Sequence, residues 1–104
     1  ISDPEDEFQL GFMCREEGYK INPHFHKEQR RNIYSTTEVL FIKNGAVKVQ
    51  FYDDCLIEIS ETVLNSGDII ILYSGGHGFQ FEKNTVMVEV KQGPYIQAED
   101  KKFI

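Results

Sequence analysis

The chain predicts an all-β protein, a barrel or sandwich of about eight short strands. Three observations lead there. Apolar residues recur at every second position, as in Val47, Val49 and Phe51 and again in Val86, Val88 and Val90, which is the period of a strand with one buried face. Turn-forming residues punctuate these segments at Gly18, Asn44-Gly45, Asn65-Ser66-Gly67 and Gly93-Pro94, where short polar side chains and glycine reach turn conformations at little cost. No stretch carries the apolar spacing of an amphipathic helix.

Residues 1–7 hold four acidic groups and Pro4 without periodicity and read as a flexible N-terminal arm, followed by a single domain over residues 8–104. A first strand is expected in Phe8 to Glu17, with Phe8, Leu10, Phe12 and Cys14 on one face. Gly18 ends it. Pro23 enters a second strand carrying His24 and His26, because proline lacks a ladder donor and suits a strand start. Lys27 to Thr37 has no period and is expected as a loop. Glu38-Val39-Leu40-Phe41-Ile42-Lys43 and Ala46-Val47-Lys48-Val49-Gln50-Phe51 flank Asn44-Gly45, so a two-residue hairpin with a type I′ turn is expected between them. Asp53-Asp54 closes that strand. Leu56 to Val63 alternates Ile57 and Ile59 against Glu58 and Ser60, Ile69 to Leu72 reads as a short strand buried on both sides, and Val86 to Val90 is the last clear strand.

With 104 residues the chain suffices for one domain with its own core. A net charge of −6 argues against non-specific nucleic-acid binding, which needs a basic face to meet phosphates. No apolar run approaches a membrane span. The partner expected is therefore a small molecule, with neither nucleic acid nor membrane. Cys14 and Cys55 are too few for a disulfide framework and read as free thiols in a reducing cytoplasm. The chain opens on Ile1-Ser2 without an initiator methionine, which suggests trimming and leaves open what precedes Ile1.

His24 and His26 are separated by one residue, so on an extended chain both imidazoles point the same way. Neutral imidazole is the commonest metal ligand, and Glu38, opening an apolar run, offers a carboxylate beside it. The alternative is a solvated or hydrogen-bonded histidine pair. Gly18, five residues, His24-x-His26, then Glu38, six residues and Gly45 resembles the first signature of the cupin superfamily. Eleven residues, Lys27 to Thr37, separate His26 from Glu38, more than the family usually has. A longer surface loop absorbs them at small entropic cost. Gly67 to Phe79, GDIIILYSGGHGF, is similar to the second signature, with Gly67, Gly75 and His77 in order. It departs in having Tyr73 where proline is usual and one residue fewer before His77.

The resemblance implies a double-stranded β-helix, the jelly-roll-like β-barrel of a small cupin. It also implies a divalent transition metal (Mn, Fe, Ni, Co or Zn) held by His24, His26, Glu38 and His77. VEVKQGPY, Glu89 to Tyr95, with the preceding GGHGF, looks like small cupins of bacterial surface-polysaccharide and sugar-nucleotide pathways. An isomerase or epimerase acting on a carbohydrate-like or sugar-nucleotide substrate follows, with Tyr34, Glu89 and Lys91 as candidate proton-transfer groups. Lys27, Arg30 and Arg31 concentrate positive charge in an acidic chain and are candidates to clamp a carboxylate or phosphate; the alternative is a solvated loop. Competing readings are a metal-free isomerase using the strand's histidines, a sugar- or organic-acid-binding cupin without turnover, and an iron-dependent dioxygenase. The uncharged Phe8 to Cys14 strand and the apolar end Phe103-Ile104 predict a homodimer, which the resemblance also implies, since cupins frequently dimerise.

Overall fold

The computed structural model describes residues 2–94. The chain divides into two compact units, Ile1–Tyr34 and Ser35–Ile104. Among the described residues there is no helix, and so none long and apolar enough to cross a membrane. The expectation placed on Lys101-Lys102-Phe103-Ile104 lies outside the described residues.

Among its described residues the first unit contains no strand. Both strands expected there, Phe8 to Glu17 and the one through His24 and His26, are replaced by extended or turning chain. Alternation makes a strand only when a second backbone takes its N–H and C=O groups. Backbone bonds in this unit join nearby residues: Ser2 donates to the Leu10 carbonyl at 3.4 Å and Tyr19 to the Glu16 carbonyl at 3.1 Å.

The second unit holds six strands, β1 (Glu38–Asn44), β2 (Ala46–Tyr52), β3 (Glu58–Asn65), β4 (Ile69–Leu72), β5 (Gly76–Phe81) and β6 (Val86–Lys91). They form two antiparallel sheets, in the orders β4-β1-β6 and β3-β2-β5. The sheets are not closed into a barrel. Ile42 of β1, Val47 and Val49 of β2 and Leu64 of β3 are buried together, with Ile70, Phe79 and Met87 from the remaining strands packed against them. Since both sheets contribute, the core lies between them. Each fully buried aliphatic side chain contributes about 1.5 to 3 kcal/mol.

The expected hairpin at Asn44-Gly45 is corrected: β1 and β2 do not pair but belong to different sheets. Both edges of β1 are taken by β4 and β6, and both edges of β2 by β3 and β5, so the chain turns a corner here instead of folding back. Gly45 has φ +118, and a Cβ on it would meet Thr85 Oγ1 at 2.5 Å and the Asn84 carbonyl oxygen at 2.6 Å. Only glycine fits. The corner is clamped from both sides: Gly45 N donates to Ser66 Oγ at 2.9 Å and Ala46 N to Thr85 Oγ1 at 3.2 Å. Among the described residues β2 and β3 form a hairpin, whose loop is shaped by Asp53, with Oδ1 accepting from the N–H groups of Cys55 (2.9 Å) and Ile57 (3.0 Å).

Two further expectations change. Ile57 and Ile59 are exposed and the third strand begins at Glu58, because Phe51 opposite Ser60 and Tyr52 opposite Glu58 leave Ile59 as the extra residue of a bulge. In β4 only Leu72 is buried, and Ile69 is about half exposed, since the sheet is covered on one face alone.

Candidate functional site

Directly opposed residues of neighbouring strands share a sheet face. Leu72, Glu38 and Lys91 form one such row across the first sheet, and Ile70, Leu40 and Glu89 the next. Leu40 and Ile42, of the same parity as Glu38, are fully buried, so these rows line the interior. In the second sheet Ser60, Phe51 and His77 are in register, with the parity of the buried Val47 and Val49. Polar groups from both sheets thus meet at one end of the core.

Glu38 and His77 are the closest of them. His77 Nε2 lies 3.1 Å from Glu38 Oε2, with the side chains 25% and 10% exposed. The approach is close in distance, yet Oε2 has no partner of hydrogen-bonding geometry among the described residues. The contact is a close approach of an imidazole nitrogen to a carboxylate oxygen. Phe79 packs edge-on against the imidazole, with ring centroids 5.4 Å apart, and fixes its side. His77 follows a turn in which Gly75 takes φ +89, and Gly76 opens β5 opposite Tyr52.

Lys91 stands directly opposite Glu38 on β6. Its Nζ lies 3.8 Å from Glu89 Oε1, and its side chain is mostly buried while that of Glu89 is more open. Lys91 and the more open Glu89 therefore lie on the same sheet face as Glu38, while Tyr34 is exposed in the first unit. Thr37, missed by sequence reasoning, is almost fully buried beside Glu38, and its Oγ1 has no hydrogen-bond partner among the described residues. Its carbonyl accepts from Gln92 N at 3.0 Å, which ties the start of β1 to the end of β6. Nothing in a Thr-Thr-Glu sequence marks one threonine as buried.

In the first unit His24 and His26 are exposed, and their rings meet edge-on at 5.2 Å while Phe25 between them is fully exposed. The extended chain alternates even without a strand. His24 Nδ1 donates to the Asn22 carbonyl at 2.7 Å. In the neutral ring this leaves Nε2 with the lone pair. Lys27, Arg30, Arg31 and Tyr34 are exposed, and Arg31 donates to Gln29 Oε1 at 3.3 Å. No group of three or more His, Cys, Asp or Glu among the described residues is arranged to hold a metal ion.

Ligand atoms sitting about 2.0 to 2.2 Å from a divalent metal at right angles are roughly 3 Å from each other. The Glu38–His77 separation fits such a pair. It equally fits a direct imidazole–carboxylate contact. No protein-family model, curated protein or solved structure matches the chain.

Proposed function

We propose that this chain is a small cupin, a double-stranded β-helix with a divalent-metal site in its interior, acting as an isomerase or epimerase on a small carbohydrate-like or sugar-nucleotide substrate. The observation that carries the reading is the meeting of Glu38 and His77, one from each sheet, at 3.1 Å. Both sit in the two segments whose spacing resembles the family's signatures. Glu38 Oε2 and His77 Nε2 would hold the metal, whose nitrogen and oxygen ligands suit a first-row divalent ion. When bound, such an ion supplies Lewis-acid polarisation of a substrate oxygen.

The chain's own residues do the rest. Lys91, opposite Glu38, and Glu89, 3.8 Å from Lys91, would take a proton from a carbon beside the polarised group and return it. Leu72, buried in the row of Glu38 and Lys91, and Phe51, half-buried opposite His77, supply apolar surface on the interior faces of the two sheets. The parts assigned to His24, His26, Tyr34, Lys27, Arg30 and Arg31 rest on the sequence alone. Cys14 and Cys55, both free and exposed, fit a reducing cytoplasm.

A second reading is favoured by the same contact. Without a metal, Glu38 orients the His77 imidazole, which then serves as the acid–base group itself.

The test is solvent-deuterium incorporation, followed by NMR, into a panel of sugar nucleotides and free sugars in the presence of Mn²⁺, Fe²⁺, Ni²⁺, Co²⁺ or Zn²⁺. Exchange at one carbon, abolished by Lys91→Met with binding retained, is the expected result. Exchange independent of metal supports the second reading. Binding without exchange under every condition assigns a non-catalytic module and overturns the enzyme.

A further inference from the structure

One strand breaks the apolar lining of the interior. Thr62 and Ser60 of β3 stand directly opposite Val49 and Phe51 of β2 and so share their interior-facing parity. Val49 is buried and Phe51 half-buried, yet Thr62 and Ser60 are exposed, so the interior of the sheet pair opens along β3. Core packing gives no reason for hydroxyls at these two positions. Ser60 lies in the row of Phe51 and His77, two strand spacings or about 10 Å from the strand that carries the imidazole.

The charge of the interior faces is the second observation. Among the described strand residues, the interior-facing acidic and lysine side chains are Glu38, Glu89 and Lys91. Lys91 is 3.8 Å from Glu89, so the lysine is already matched and the Glu38 carboxylate remains in excess. All three arginines of the chain, Arg15, Arg30 and Arg31, belong to the first unit.

We propose that Ser60 and Thr62 are specificity-determining residues of the interior site, and that its ligand is an uncharged sugar carrying neither phosphate nor nucleotide. The proposal deepens the function put forward above and rests on its interior site. A sugar ring offers C–H groups on its faces and hydroxyls around its rim. Phe51 supplies apolar surface for the former, and Ser60, Thr62 and Glu38 supply donors and acceptors for the latter, the usual composition of a small-molecule site. A phosphate needs charge-assisted donors. Here it would meet two carboxylates and a lysine already engaged, and such repulsion selects against the charged competitor. A phosphate bound at Glu38 and His77 through a divalent ion would also occupy the position the substrate oxygen needs.

Calorimetric and NMR titration of the full chain, with and without Zn²⁺, tests this with glucose, galactose and mannose, their phosphates and their nucleotide diphosphate conjugates. The expected result is that at least one free hexose binds about tenfold or more tightly than its charged derivatives. Ser60→Ala and Thr62→Val should each weaken that hexose about three- to tenfold, the loss of one hydrogen bond, with the melting temperature unchanged. Glu61→Gln, on the outward face of the same strand, should leave it unchanged. Tighter binding of a phosphate or nucleotide conjugate overturns the proposal, and its loss in Arg30→Gln or Arg31→Gln assigns the anion to the basic loop. Absence of hexose binding, or binding indifferent to both β3 variants, also overturns it. The enzyme is judged separately: a hexose bound without deuterium exchange refutes the isomerase and leaves this inference standing, whereas exchange confined to sugar nucleotides does the reverse.

Discussion

Glu38 on β1 and His77 on β5 belong to different sheets and to distant parts of the sequence, and their side chains meet at 3.1 Å. Register accounts for the meeting: each lies one strand repeat beyond the buried core, Glu38 beyond Leu40 and His77 beyond Phe79. Three predictions about the chain itself follow, and a fourth concerns what the pair holds.

Removing the imidazole should destabilise the fold. Glu38 is only 8% exposed, and His77→Ala leaves its carboxylate without its close neighbour, at a cost of about 1 to 3 kcal/mol. Glu38→Gln keeps shape and hydrogen-bonding capacity and should cost less. Urea unfolding of both variants beside the unchanged chain gives the comparison; a His77→Ala midpoint equal to that of the unchanged chain would show that the contact contributes nothing to stability.

Gly45→Ala should be among the most damaging single changes. It combines a left-handed backbone conformation, about 1 to 2 kcal/mol for a residue with Cβ, with a collision against Thr85 and Asn84, for which overpacking costs about 1 to 3 kcal/mol. Gly67→Ala has φ +90 but open space, so only the backbone cost applies. The ratio of the two losses, read from urea midpoints, isolates the corner packing.

Core and surface isoleucines should separate sharply. Ile42 is fully buried and Ile59 is 64% exposed. Ile42→Ala should cost about 2 to 5 kcal/mol, and Ile59→Ala about 0.5 kcal/mol or less. Similar losses at the two sites would contradict the assignment of the core.

The strands of the second unit were largely legible, since Val47, Val49 and Phe51, and Val86, Val88 and Val90, alternate as strands do. Partners were not. Alternation fixes which face a residue takes but not which edge lies beside it, so the dipeptide Asn44-Gly45 suggested a hairpin where Ser66 and Thr85 instead hold a corner between sheets. Phe8 to Cys14 shows the same gap in the first unit, where a strand-like pattern forms no strand among the described residues. For the site, Glu38 and His77 were recognisable from their order and spacing, and His77 follows a turn at Gly75 whose φ no spacing rule reveals. Thr37 left no signal at all.

The most direct test of the central claim is metal content and affinity of the full chain purified without a histidine tag, measured by elemental analysis and by titration calorimetry with Mn²⁺, Ni²⁺ and Zn²⁺. The proposal predicts about one divalent ion per chain, with affinity falling about tenfold or more in both His77→Ala and Glu38→Gln while each variant remains folded. A chain that binds no divalent metal, or binds it equally well in both variants, would contradict it.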